Sequence, residues 1–269
     1  MLTFFNCPDG ITRPISDCLN KCPRPEGRCL SLPTLTSIGS PRIWRGRPST
    51  TQLLNPTRLE YLQVKKPYAV DPFDQAFALL GTRHHGRLEQ VAKHIEGLES
   101  ELVMKGEVSG IVDLLEPLTA DTYRLIDYKT YGSYSAAKHL GIKEDKDNAD
   151  QHKLELQMNN YRLLAKAIGF DVRELKCQIT VRDGGTFAAK HNGIEKNLYL
   201  IDVNILPDNE VESYFHFKKQ LLCEAIETTT LPPLCPYEER WGGRRCKGFC
   251  NVVAFCPEGA KVKKVELQQ

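Results

Sequence analysis

Asp113 lies inside the apolar run GIVDLL, and Asp127 and Lys129 flank a single residue in LIDYKT. Residues two apart on a strand project from the same face, so Asp127 and Lys129 point together while Tyr128 points away. If the two runs pair, Asp113 joins them. Two carboxylates and the Tyr128 main-chain carbonyl suit a hard divalent cation such as Mg²⁺ or Mn²⁺, which takes oxygen ligands and keeps several waters. Such a cation polarises a phosphodiester and acidifies a water, and an adjacent ammonium orients that water or stabilises the charge growing on phosphate. A bare D-x-K is more often an ordinary pair of strand-end charges. Here each carboxylate sits within apolar sequence, where a charge is costly unless it is paired or bound to a metal.

The elements that must position these residues show as periodicities. Ser49 and Thr50 cap a turn leading into TQLL, and an amphipathic helical stretch carrying GTRHHGRLE runs from about Pro72 to Leu98. GEVSGIVDLLE and YRLIDYKT read as strands paired across a turn. Between Ala149 and Ile168, Leu154, Met158, Tyr161, Leu164 and Ala165 share one helical face, and Gly169 stops the helix. RELKCQITVRD and KNLYLIDVNIL read as two more strands with a Gly-containing, hairpin-like connection, followed by a helix from about Asn209 to Thr228. This order predicts an α/β domain with a mixed central sheet flanked by helices.

Four motifs occur in chain order: G-x-x-x-H at Gly81 to His85, G-I-V-D at Gly110 to Asp113, D-Y-K at Asp127 to Lys129, and Q-x-x-x-Y at Gln157 to Tyr161. In this order they resemble the RecB-like branch of the PD-(D/E)XK nucleases, which includes the CRISPR-adaptation RecB-like exonucleases and phage exonucleases. The resemblance covers about Ser49 to Tyr161. It implies a restriction-endonuclease-like core and a Mg²⁺- or Mn²⁺-dependent DNA exonuclease. The substrate would be DNA ends or single strands, met in recombination, repair, phage replication or CRISPR adaptation, with the protein partners of such pathways. By the same resemblance His85, Asp113 and Asp127 are metal ligands, Lys129 is the catalytic lysine, and Gln157 and Tyr161 brace the centre and the substrate strand. Residues four apart share a helical face, so the last two can approach one strand end. His84 and His85 are adjacent on a helix and cannot both face the site; only His85 fits the motif. The competing reading is a metal-stapled nucleic-acid-binding module with an inactive core, against which the intact Asp113, Asp127 and Lys129 speak.

Eight of the ten cysteines crowd the two ends. Cys7, Cys18, Cys22 and Cys29 are separated by ten, three and six residues, and Cys235, Cys246, Cys250 and Cys256 by ten, three and five. Without a secretory signal, such groups point to metal or redox chemistry more than to disulfides, and no C-x-x-C pair is present to support a redox protein. Four thiolates suit tetrahedral Zn²⁺ or an iron–sulfur cluster, and spacing does not decide between them. Resemblance favours [4Fe–4S] over zinc at the carboxyl group, because many RecB-like nucleases hold a cluster with a carboxyl-terminal cysteine trio and one early cysteine. The trio here is spaced three and five rather than two and five, and Asn55 stands near where the early cysteine would fall, so Cys235 is expected to replace it. Zinc is favoured at the amino group, whose basic surroundings and Trp44 can meet phosphate and stack on a base. The expected segments are a cysteine-rich module over 1–48, a nuclease core over 49–230 and a metal-cluster segment over 231–269.

Composition is that of a folded protein, with 41% hydrophobic and 26% charged residues. No apolar run approaches the ~20 residues of a membrane helix, and MLTFFNCPDG lacks the features of a signal peptide, so no membrane association and a cytoplasmic address are expected. With a net charge of only +2, affinity for DNA must come from local basic patches.

Overall fold

The computed structural model describes residues 1–40, 43–144 and 149–266. In chain order they form β1 (Leu2–Asn6), β2 (Thr12–Pro14), α1 (Ile15–Asn20), α2 (Leu32–Ile38), α3 (Thr50–Leu53), α4 (Thr57–Lys65), β3 (Tyr68–Val70), α5 (Pro72–Ala92), β4 (Glu99–Lys105), β5 (Ser109–Pro117), β6 (Thr122–Tyr131), α6 (Ser133–His139), α7 (Ala149–Ala167), β7 (Asp171–Val181), α8 (Phe187–His191), β8 (Leu198–Asp202), α9 (Asp208–Thr228) and α10 (Pro257–Glu266). The chain divides into two units, one of Arg47–Leu54 with Gly81–Lys219, the other of Met1–Gly46, Asn55–Leu80 and Gln220–Gln269.

The first of these units is built on a sheet ordered β4-β5-β6-β7-β8. Neighbours run antiparallel except β6 and β7, which are parallel. A parallel neighbour requires a long crossover, and α6 and α7 occupy it. GIVDLL and LIDYKT pair as expected, joined by a turn in which Leu118 N–H donates to the Thr122 carbonyl at 2.8 Å. On one sheet face Leu154, Met158, Tyr161 and Ala165 of α7 pack on Val112, Leu125 and Ile179. On the other, Leu88 and Ala92 of α5 pack with Leu114, Ile126 and Tyr128. Burying each large aliphatic side chain contributes about 1.5–3 kcal/mol. Gly169 ends α7 with φ +102°, as the sequence predicts.

The polar side of α7 is also used. Asn159 donates to the Asn204 carbonyl at 2.8 Å and accepts from Leu206 N–H at 3.0 Å, and Arg162 pairs with Asp208. Asn160 donates to Thr50 Oγ1 at 2.8 Å. These bonds satisfy buried amides that an apolar-face argument does not see.

Two sequence expectations change here. The helix expected to reach Leu98 ends at Ala92, and β4 follows. As an edge strand β4 carries Glu99, Glu101 and Lys105 and exposes Val103, so it lacks the apolar alternation by which a half-buried strand is recognised. The hairpin-like link between β7 and β8 contains α8, capped by Thr186, which accepts from Ala189 N–H.

The other unit contains a sheet ordered β2-β1-β3, in which β1 is antiparallel to β2 and parallel to β3. Phe5, Ile15 and Leu35 are buried in it, so the amino-terminal residues carry apolar anchors besides their cysteines. Arg58 of α4 donates to the carbonyls of Pro232 and Pro233, and Gln63 donates to Asn251. Long-range pairing of this kind is why the units cross the expected boundaries at 48/49 and 230/231. Among the described residues no helix is long and apolar enough to cross a membrane.

Gly110 lets β5 approach α7, since a Cβ there would meet the Tyr161 ring at 2.9 Å and Leu164 at 3.0 Å. Both neighbours are held in the core, so Gly110→Ala is expected to lower unfolding free energy by about 1–3 kcal/mol in urea denaturation. An unchanged midpoint would show that the core relaxes freely around this contact.

Candidate active site

The site forms where β5 leaves β6. Their pairing runs from Pro117↔Tyr123 to Leu114↔Ile126 and stops; one step further, Asp113 would face Asp127. Instead Asp113 Oδ2 accepts the main-chain N–H of Tyr128 at 2.7 Å, so a carboxylate takes the ladder's place. On the other side of β5, the pairs Ser100↔Leu114 and Leu102↔Val112 leave Glu101 opposite Asp113. Glu101 has φ +50°, a left-handed conformation that costs a non-glycine residue about 1–3 kcal/mol and tends to persist at functional sites. Val112 and Leu114, which regular alternation would put on one face, belong to the two different cores. The strand is therefore distorted at Asp113.

His85 comes from α5, Glu101 from β4 and Asp113 from β5, and one ligand atom from each lies within 4.8 Å of the others. His85 Nδ1 is 3.4 Å from Asp113 Oδ1. That hydrogen bond raises the His85 pKa against the effect of burial. Burial, then Asp113, pushes the Glu101 carboxyl up. Groups that hold protons at a shared point are groups a cation can displace them from. Oxygen donors with one imidazole fit Mg²⁺ or Mn²⁺ better than a soft metal.

Asp127 and Lys129 share the α7 side of β6. Lys129 Nζ lies 2.6 Å from Asp127 Oδ2, and Asp127 is only 2% exposed. Burial alone would lower the lysine pKa, but Asp127 and Tyr131 outweigh it and keep the ammonium charged. Burial pushes the Asp127 carboxyl up, with Asp113 adding to it and Lys129 opposing. Gln157 Nε2 donates to Asp127 Oδ1 at 3.4 Å and to Tyr161 Oη at 3.2 Å. The Tyr161 hydroxyl is pushed up to about 12, first by burial and then by Asp127, so it stays neutral.

Thus the residues singled out by the motifs converge. His84 turns to Thr180, with 3.1 Å between Nε2 and Oγ1, while His85 joins Asp113, as adjacency on a helix requires. The Tyr128 ring packs beside His85 at 5.9 Å between centroids, while its main-chain N–H donates to Asp113. Glu101 was missed, and its signal lay in an unrecognised edge strand. Of the basic stretch at the amino end, Arg42 lies outside the described residues, and Arg47 donates to the Gly106 carbonyl at 2.9 Å.

Both cysteine groups lie in the other unit as free thiols. Cys235, Cys246, Cys250 and Cys256 line one cavity with Pro56, Arg58 and Arg245. Arg58 approaches Cys256 Sγ at 3.5 Å, and Arg245 donates to Asn55 at 3.2 Å. Cys18 is buried, and its thiol is pushed up by burial and then by Cys22, Cys29 and Cys7 around it.

No curated protein matches the chain. A solved structure described as "Crystal structure of SSO0001" is 15% identical, with a TM-score of 0.46 over 81% of this chain and 89% of that one. Residues 43–257 match the PD-(D/E)XK nuclease superfamily, and the mixed five-stranded sheet flanked by helices fits a restriction-endonuclease-like fold. The matched span contains His85, Glu101, Asp113, Asp127 and Lys129, and on that match the chain belongs to the PD-(D/E)XK nuclease superfamily.

Proposed function

We propose that this nuclease is a Mg²⁺- or Mn²⁺-dependent DNA exonuclease that hydrolyses phosphodiester bonds at ends or on single strands. The observation that carries the reading is the ion pair of the half-buried Lys129 with the buried Asp127 at 2.6 Å, beside the His85, Glu101 and Asp113 group. His85, Asp113, Asp127 and the Tyr128 carbonyl would hold the cation, with Glu101 next to it. When bound, the cation supplies Lewis acidity to a phosphodiester oxygen and lowers the pKa of a water. Lys129 contributes a fixed positive charge that meets the negative charge developing on phosphate, already oriented by Asp127 and needing no reorganisation. Gln157 holds Asp127 in place, and Tyr161 holds Gln157. Trp44 and the neighbouring arginines would serve as a base-stacking and phosphate contact.

The carboxyl-terminal quartet is read as a [4Fe–4S] site that fixes the chain end within its own unit. Four cysteines line one cavity, and Cys235 stands in for the missing early ligand. A site that forms only in the folded state contributes its binding energy to folding.

End-labelled single- and double-stranded DNA, incubated with and without Mn²⁺, tests the activity. Metal-dependent shortening from an end is expected, and an inert protein that still binds DNA would favour the inactive-module reading. Lys129→Ala should lower cleavage by about 10²–10³-fold. Its stability loss should stay below the ~3–5 kcal/mol of an uncompensated buried charge, because Asp127 can take up a proton. Undiminished cleavage would remove Lys129 from the chemistry.

The raised carboxyl pKa values of Glu101 and Asp127 set a sign for pH dependence. Protons bound in the folded state stabilise it at low pH, and this contribution is lost as pH rises through the folded pKa. A cation replaces them, so the rise in Tm on adding Mn²⁺ should be larger at higher pH. Asp113→Asn should abolish the difference; a shift independent of pH would contradict the shared site. Cys250→Ala should give insoluble or unfolded protein, and a soluble variant with wild-type Tm and activity would refute the structural role.

A further inference from the structure

Beyond Lys129 the β6–β7 pair ends in a surface that the metal centre does not use. The two strands are parallel and finish together at Tyr131↔Val181, so α6 and α8 both follow from the same end of the sheet, and they pack on each other. Asp183 fastens them. Its two carboxylate oxygens accept the N–H and the hydroxyl of Ser133 at 2.6 and 2.7 Å, and Asn192 donates to Ser133 Oγ at 2.9 Å. By alternation Tyr131 shares the side of β6 that carries Lys129, and its ring stacks on His139 of α6 at 4.7 Å between centroids.

On this frame two aromatic rings face water. Tyr134, in the first turn of α6, is 58% exposed, and Phe187, the first residue of α8, is 86% exposed. Rings so exposed contribute little to folding, yet both are mounted on fixed elements, α8 being capped by Thr186. The ammonium groups of Lys143 and Lys138 lie 5.1 and 5.7 Å from the centre of the Tyr134 ring, and Lys138 also pairs with Asp150 at 3.0 Å. Lys190 is exposed one turn from Phe187. Residues 132–144 and 182–194 carry Lys138, Lys143, Arg182 and Lys190 against Asp183 and Glu144, and Ser133 engages Asp183.

Rings on which bases can stack, set among cations that meet phosphates, suit a single nucleic-acid strand. The location favours that occupant over an apolar protein segment, since this surface lies in the same unit as the metal centre. Lys129 and Tyr134 are five residues apart, at most about 18 Å of chain, which is roughly five stacked nucleotides at ~3.4 Å each. We infer that Tyr134 and Phe187 stack bases of a single DNA strand that passes from the cleavage centre across α6 and α8, with Lys143 and Lys190 on its phosphates. The path from the centre rests on the nuclease reading proposed above; the stacking surface does not.

The test is fluorescence polarisation of the full chain, without divalent cation, on a fluorescein-labelled single strand of about 16 nucleotides and on an abasic strand of the same length. Tyr134→Ala and Phe187→Ala should each weaken binding of the normal strand by about 5- to 150-fold, and Tyr134→Phe and Phe187→Trp, which keep a ring, should restore it. The abasic strand should bind wild-type protein weakly and lose nothing further in either Ala variant. Lys143→Ala and Lys190→Ala should each lower the slope of log affinity against log salt by about 0.7. Wild-type affinity in both Ala variants, or an equal loss from the normal and the abasic strand, overturns the inference and leaves the rings to a protein partner; so does wild-type protein that binds no single strand. Phe187 is exposed enough for its Ala variant to decide the matter should Tyr134→Ala fail to fold. Cleavage with Mn²⁺, assayed in parallel, separates the two readings. Wild-type protein that cuts while both Ala variants bind as it does removes the stacking surface alone, and protein that binds through Tyr134 and Phe187 without cutting removes the exonuclease and keeps the surface.

Discussion

The interruption of the β5–β6 ladder at Asp113 is the feature on which the site depends. Backbone pairing holds the two strands together up to Leu114↔Ile126, and a side-chain carboxylate then replaces the missing carbonyl by accepting Tyr128 N–H. This substitution satisfies a donor that would be costly to leave unpaired and opens a gap between strands without breaking the sheet. Asp113 is thereby held in place, with Glu101 opposite it, His85 above and the Asp127–Lys129 pair alongside. Strain at Glu101 is a local cost that the regular pairs on either side can bear.

The surrounding fold serves that opening. The α7 side of the sheet is apolar around Val112, Leu125 and Ile179, and Gln157 and Tyr161 enter it as polar groups that satisfy each other and Asp127. The opposite side, under α5, carries His85 on the same helix as Leu88 and Ala92. A centre assembled from a helix, three strands and a second helix is placed by regular elements, which hold side chains more rigidly than loops do.

Much of this was legible in the sequence because it follows from short-range rules. Alternation put Asp127 with Lys129, helical spacing put Gln157 with Tyr161, and adjacency separated His84 from His85. Glu101 was not legible, because its strand is an edge with charged and exposed positions and its place opposite Asp113 depends on a register no local pattern encodes. The division of the chain was hidden for a related reason. The parallel pairing of β1 with β3 joins residues 2–5 to residues 68–70, and such a contact leaves no trace in composition. The cysteine groups announced themselves by spacing, which does not choose between zinc and an iron–sulfur cluster.

The central claim is that the opened strands hold a divalent cation next to a charged lysine. A crystal grown with Mn²⁺ and measured at the manganese absorption edge addresses it directly. The account predicts an anomalous peak bounded by His85, Asp113, Asp127 and the Tyr128 carbonyl, with Lys129 still paired to Asp127. Saturating Mn²⁺ without a peak there, or with manganese only at the cysteines, would contradict it.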